Sequence, residues 1–591
     1  MKRIINIVLA ACVIALTGCK DILDAPNQSS LEPEVVFSTP TLAQGTIAGI
    51  LQSFGETNSY RGRYLVYYGI NTDTEIFNTL RNSADPKAQL SNYTATADNT
   101  QMNTDNNAWA KFYESIERAN FAIKGIRTYG NMADSRMSQA LGELLTLRAV
   151  VYNDLIKGWG DVPARFEPVT SETLNVPRSD KDVIYKQLLA DLDEAASLLP
   201  WPNETSAYSS VERVNKAFAK GLRARLALAA GGYSLHLDGT IRLSTDPELS
   251  RDKMYAIAKK ECLDIINSGK LRLLGFEECF RTLNEETGRA GLESMWEIPF
   301  SESRGRVIFD LGVKHTTKDK YTNQNKGGTN GPNALMLYEY ERGDVRRDVT
   351  VVPYEWTNGK QVPTQMNKLY FGKYRYEWMK RIVTSDNDDG LNWMYMRYAD
   401  VILMAAEAIN ELEGPANAAP YLRLIRARAF PNDAAKVNQF MSEVTVSKEA
   451  FFNAIVNERA LEFTGEMLRK ADLIRWNLLG PKLAEAKTKL IQLENKQGKY
   501  AGRLDKIYYK TAPDGEKVMI YGLNIGDTEA EAIALGYTTN KAWNLSAGSG
   551  TVPYWDALAA GDPNKQQVWP IWSIFIENSN AKLNNDHLGT K

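Results

Sequence analysis

The stretch WAKFYESIERANFAIKGI places Trp109, Phe112, Ile116, Ala119, Ile123 and Ile126 at alternating intervals of three and four residues. Side chains so spaced fall on one stripe of an α-helix, and that stripe must be buried against another element. The same period returns along the chain. SQALGELLTLRAVVYNDLIKGWG stops at Gly158 and Gly160, and DKDVIYKQLLADLDEAASLLP opens on an Asp cap and closes against Pro200. NKAFAKGLRARLALAAGGY ends in paired glycines, and MRYADVILMAAEAINELEGP carries Ile402, Ala405, Ile409 and Leu412 on one face. NAAPYLRLIRARAFP follows after a short break, and FFNAIVNERALEFTGEMLRKADLIRWNLLG is a longer helical region interrupted at Gly465.

Amphipathic helices in sequence, with small residues at close-packing positions and short connectors, suggest helix–turn–helix units resembling tetratricopeptide repeats, although no strict 34-residue consensus aligns. Residues 281–392 and 497–560 differ in character. YTNQNKGGTNGPN, VVPYEWTNGKQVP and KLYFGKYRYEWMK carry Asn, Gly, Tyr and Trp without helical period. They read as loops and short strands built onto the helical scaffold, so the expected fold is mostly α with a variable, loop-rich lobe. Long loops on rigid scaffolds are where function tends to sit.

The first residues, MKRIINIVLAACVIALTGCKD, have a basic start and then an apolar run from Ile4 to Leu16. That run is too short to span a bilayer comfortably and fits the apolar region of a secretory signal. Leu16-Thr17-Gly18-Cys19 resembles the lipobox of bacterial lipoproteins, which implies a signal over 1–18 and lipid attachment at Cys19. Acyl chains contribute roughly 0.8 kcal/mol per buried methylene, enough for a stable anchor when two or more are present. With 70 basic and 72 acidic residues, net charge −2, nucleic acid and anionic lipid surfaces are poor main partners. Of four cysteines, Cys12 leaves with the signal and Cys19 takes lipid. Cys262 and Cys279 remain, as a pair or as buried free thiols.

Catalytic and metal-binding patterns are missing. His236, His315 and His587 stand far apart, and no phosphate-binding glycine loop or GxSxG elbow occurs. SDNDDG at 385–390 has the look of a calcium loop, but Met396 stands where its glutamate is needed, so it reads as a solvated loop. No cofactor or metal is expected.

CKDILD from Cys19 onward, NTDTE at 71–75, WAKFYESIERANFAI, LRAVVYNDLIKGWGDVP, MRYADVILMAAEAINELEG and NERALEFTGEMLRKADLIRW together resemble the SusD/RagB family of nutrient-binding lipoproteins, in family order. The resemblance implies one body of four repeat-like helix pairs with a ligand-binding lobe, divided as 19–280 and 281–591. It also implies an outer-membrane SusC-like TonB-dependent transporter as partner. Lys20, Asp21 and Asp24 look like the short signal that sends such lipoproteins to the cell surface. The expected function is capture of oligosaccharide, with peptide capture of the RagB type and surface glycoside hydrolysis as rivals. The carboxylates Glu458, Glu462 and Asp472 alternate with Arg459, Arg469 and Arg475 and read as partners in helix-surface or buried ion pairs.

Sugar rings present an apolar C–H face and a fringe of hydroxyls, which suits an aromatic face beside amides. Two irregular stretches offer that combination. One runs from Asn78 to Tyr93 and contains Arg81, Asn82, Asn92 and Tyr93; the other is the variable lobe, with Tyr321, Asn323, Asn333 and Trp356. Trp109, in contrast, belongs to an apolar stripe and is expected in the core.

Overall fold

A computed structural model describes residues 31–78, 84–385, 389–545 and 552–589. Cys19, Arg81, Asn82 and the loop residues 386–388 lie outside them.

The principal helices are α1 (Pro40–Phe54), α2 (Ala108–Tyr129), α3 (Ser135–Trp159), α4 (Lys181–Leu198), α5 (Lys216–Ala230) and α6 (Arg251–Ser268) in the first half. They continue as α7 (Tyr398–Glu413), α8 (Pro415–Ala429), α9 (Ala434–Val444), α10 (Lys448–Phe463), α11 (Arg469–Arg475) and α12 (Leu479–Glu494). Side-chain caps start several of them. Asn107 accepts from the Ala110 N–H, Asp134 from Arg136, Asp180 from Asp182 and Asn215 from Phe218. The α2 stripe is buried along its whole length, and Trp109 meets Trp159 of α3 edge-on at 5.5 Å.

Each helix packs on the next, α2 on α3, α3 on α4, and so on to α6 on α7, although the whole lobe intervenes between those two. Taken two at a time, α2/α3, α4/α5 and α6/α7 pack as helix pairs, and α8 packs chiefly on α7, with smaller contacts to α9 and α10. Gly414, at φ 96°, is the only residue between α7 and α8, a conformation that residues with a Cβ rarely adopt. The interruption at Gly465 is real: α10 ends at Phe463, Gly465 sits at φ 88°, and a Cβ there would lie 2.9 Å from the Phe371 ring.

The strands are short and pair antiparallel. Those of three residues or more are β1 (Glu75–Phe77), β2 (Ser294–Ile298), β3 (Asn330–Pro332), β4 (Tyr354–Thr357), β5 (Lys360–Pro363), β6 (Trp393–Arg397), β7 (Lys506–Thr511), β8 (Val518–Tyr521) and β9 (Thr539–Ala542). β1 pairs with β3, which ties the NTDTE segment to the lobe, and β2 pairs with β6 across the lobe's base. β4 and β5 form a hairpin whose turn, Asn358-Gly359, has both φ angles positive, as a type I′ turn requires.

Helices α1 and α12 are among those with no counterpart in the sequence reading. α1 buries Ala43, Ile47, Ile50 and Phe54, but Gly45 and Gly49 dilute its helical signal. α12 begins Leu479-Gly480-Pro481, a sequence that reads as a stop, yet proline is tolerated in a first turn because its missing N–H has no intrahelical acceptor there. Cys262 and Cys279 are both buried free thiols, so the pairing alternative falls away. No helix among the described residues is long and apolar enough to cross a membrane.

The α10–α11 carboxylates and arginines are buried and paired. Glu462 receives Arg397 at 2.6 Å and Arg346 at 3.1 Å and also pairs with Arg428. Arg459 bridges Asp400 and Asp472, each at 2.7 Å, and Arg475 holds Glu407 and Asp472. Helices α7, α8, α10 and α11 are thereby joined to β6 through charges that water does not screen.

Candidate functional site

The NTDTE segment is a clasp rather than a contact surface. The Asp73 carboxylate accepts from Nε and Nη2 of the Arg469 guanidinium, at 2.8 and 2.6 Å. The Asn71 side chain accepts from the Phe77 N–H at 2.9 Å and donates to the Ala557 carbonyl. Glu75 is buried and accepts from the Gly465 N–H and the Thr72 hydroxyl, each at 2.9 Å. Burial pushes its carboxyl up to about 7 against those hydrogen bonds.

Four of the expected ligand residues belong to this inner framework. Asn333 is fully buried and donates to the Asp73 carbonyl at 2.7 Å. The Tyr93 hydroxyl donates to the Asn71 carbonyl at 2.8 Å, and its ring lies under the Lys470 ammonium. Asn92 is buried; its side-chain oxygen accepts from the Thr94 hydroxyl, and its carbonyl accepts from Ala560 and Gly561. Trp356 is 1 % exposed and stacks on His315 at 5.7 Å. The expectation of exposed platforms at Tyr93 and Trp356 is therefore corrected. Tyr93 packs in a core with Ile76, Leu335 and Trp476, Trp356 packs with Val313, Val352 and Tyr370, and irregular backbone buried there needs polar side chains to satisfy its N–H and carbonyl groups.

Tyr321 and Asn323 stay at the surface, half-buried and exposed respectively, on one turn of the lobe. The turn is held from beneath. Asp319 accepts from the Tyr321 N–H at 2.9 Å and the Thr322 N–H at 3.2 Å, while its other oxygen meets His315 Nδ1 at 2.7 Å. Val383 brackets it, donating to the Tyr321 carbonyl and accepting from the Asn323 N–H. The Tyr321 ring stands edge-on to Trp356 at 5.1 Å, and Lys320, paired with Glu516, lies 5.1 Å from its centre. Burial works against protonation of His315, but Asp319 and Glu377 outweigh it and hold the imidazole above its ordinary value. Trp356, expected to touch ligand, instead supports the ring that stays accessible.

Two cavities of about 440 Å³ lie elsewhere. One is bounded by α9, α10 and α12. The other is lined by Glu212, Glu286, Glu297, Glu302, Arg381 and Asn392. In the second, the Asn392 amide donates to both Glu212 and Glu297, at 3.0 and 3.1 Å. Burial raises the Glu297 carboxyl to about 7. The turn after the acidic run 385–388 is structural where it is described, since Asp389 accepts from the Phe309 and Leu391 N–H groups. Among the described residues, no group of three His, Cys, Asp or Glu side chains is placed to hold a metal ion.

These features define a class: an array of repeat-like helix pairs bearing a loop-built lobe, clasped together through Asp73–Arg469 and the buried arginines. Residues 293–555 match the profile of the SusD family, and residues 21–228 match one described as starch-binding associating with outer membrane. A SusD-like protein of Formosa agariphila is 25% identical over 510 residues, covering 80% of this chain and 90% of its own. The structure of a SusD homolog from Bacteroides thetaiotaomicron superposes with a TM-score of 0.72 at 19% identity, covering 94% of this chain and 98% of its own. Surface glycan-binding protein A of that organism, solved in complex with laminarihexaose, gives 0.60 at 18% identity over 92% of this chain and 99% of its own. The chain belongs to the SusD-like family.

Proposed function

We propose that this protein is a lipid-anchored receptor that captures oligosaccharide at the outer membrane and passes it, uncut, to a SusC-like TonB-dependent transporter. The observation that carries the reading is the Tyr321–Asn323 turn. An aromatic ring beside a free-standing amide sits on a base made rigid by Asp319, His315 and Trp356. A platform of this kind meets a sugar's C–H face without having to be ordered first, which lowers the entropic cost of binding. Family membership and the laminarihexaose-binding neighbour support a saccharide as the ligand. The carboxylates of α10 and α11 are engaged by arginines, which removes them as an acid–base pair.

A second reading, hydrolysis, is favoured by one feature. Glu212 and Glu297 share Asn392, and one of them has its carboxyl raised to about 7, as a general acid needs. The soluble chain from residue 20 onward, screened against neutral glycans and short peptides, tests both. Glycan binding without product release is expected. Peptide binding alone would move the receptor to peptide capture, and release of reducing ends abolished in Glu297→Gln would make it a hydrolase. Mild-detergent pull-down of the full chain should recover a large β-barrel transporter, and its absence where both are expressed would contradict the hand-over.

A further inference from the structure

We infer that the cavity between α9, α10 and α12 is a second saccharide site, specific for an uncharged ligand. This inference rests on the glycan-capture reading and adds a subsite to it. The cavity exists because α10 presents Ala450, Ala454 and Ala460 toward it, which keeps its floor low. Its volume of about 440 Å³ falls within the ~300–1,000 Å³ typical of small-molecule sites. Residues 319–323 contribute none of its walls, so it is distinct from the Tyr321 turn.

Its charges are already matched. Asp73 is held by Arg469, Glu458 by Arg346, and Glu341 by Arg426. Glu485 receives Lys482 and Lys489 at 2.8 Å each, and Glu339 receives Lys499 at 2.8 Å. An ionic ligand would have to break one of these pairs, whereas a neutral one need not.

Two groups in the wall are not matched. Asn453 and Asn457 lie one turn apart on α10, exposed, and among the described residues neither carboxamide has a hydrogen-bond partner. Each offers two donors and an acceptor, the complement of vicinal hydroxyls. Phe440 from α9, Met336 and Leu461 supply the apolar part of the lining, and Arg426 covers one face of the Phe440 ring at 4.2 Å. Paired carboxamides facing apolar surface, in a setting with no free charge, are suited to a polyhydroxylated ring with a C–H face.

The test is calorimetric titration of the soluble chain with maltohexaose, laminarihexaose, cellohexaose, xylohexaose and, as a charged probe, hexagalacturonate. Wild-type protein should bind at least one neutral hexasaccharide at two sites. Asn453→Ala/Asn457→Ala should lose one site, weakened tenfold or more, with the melting temperature unchanged because both positions are exposed and alanine favours a helix. Tyr321→Ala should lose the other. Stoichiometry and affinity unchanged in the double variant, while Tyr321→Ala abolishes binding, would overturn the second site and leave the receptor reading standing. Binding of hexagalacturonate that the double variant loses would overturn the neutral-ligand assignment. No binding of any neutral hexasaccharide by wild-type protein would overturn both readings together.

Discussion

Replacing Glu462 by glutamine removes one charge from the centre of the molecule and leaves its shape intact. The side chain is fully buried, with Arg397 at 2.6 Å, Arg346 at 3.1 Å and Arg428 also in contact. Burial works against ionisation, yet Arg428, Arg397, Arg346 and Lys373 outweigh it and hold the carboxyl far below the usual carboxylate range. Arg346 and Arg397 keep other partners in Asp344, Glu458, Glu293 and Glu466, and Arg428 keeps Glu293. The loss therefore falls at the lower end of the 3–5 kcal/mol expected for an unpaired buried charge, about 3 kcal/mol. Because the folded-state pKa is depressed, this contribution is present above the unfolded carboxylate value and is lost as pH falls through the folded one. Urea denaturation of wild type and Glu462→Gln at pH 7, followed by tryptophan fluorescence, reads the difference. A loss below about 1 kcal/mol would refute the idea that the buried charges hold the helices together.

Trp109→Ala should cost roughly 3–5 kcal/mol of stability and leave glycan affinity untouched, since the ring packs against Trp159 in the core; a binding defect in folded protein would contradict this. The His315 pKa is raised in the fold, so its stabilising contribution is complete below the ordinary 6.5 and disappears as pH rises through the folded value. Lobe stability measured between pH 5 and 9 should fall with rising pH in wild type and lose that dependence in His315→Gln; equal slopes would refute it. Fatty-acid labelling should mark the wild-type protein and not Cys19→Ala, which should also leave the membrane fraction; a labelled mutant would contradict the lipid anchor.

The helical scaffold was legible because its signal is local. The α2 stripe, the Asp180 cap and the interruption at Gly465 each lie within one or two turns of the residues that cause them. α12 escaped because a first-turn proline resembles a terminator when its context is unknown. The lobe was harder for a different reason. Absence of helical period marks irregular backbone but does not distinguish surface loops from buried ones, so Tyr93, Asn92, Asn333 and Trp356 carried the same signal as Tyr321 and Asn323. The partner of Arg469 lies 396 positions away, and no spacing rule could name Asp73. The cavity at Asn453 and Asn457 needs α9, α10 and α12 brought together, which no single stretch encodes.

The central claim is that sugar is held on the Tyr321 turn. Titration of the soluble chain with the hexasaccharide that binds it most tightly, repeated on Tyr321→Ala, is the most direct measurement. Loss of a platform aromatic should cost about 2 kcal/mol or more of affinity at that site, with only a small fall in melting temperature from the lost packing on Trp356. Wild-type affinity and stoichiometry in Tyr321→Ala would contradict the account.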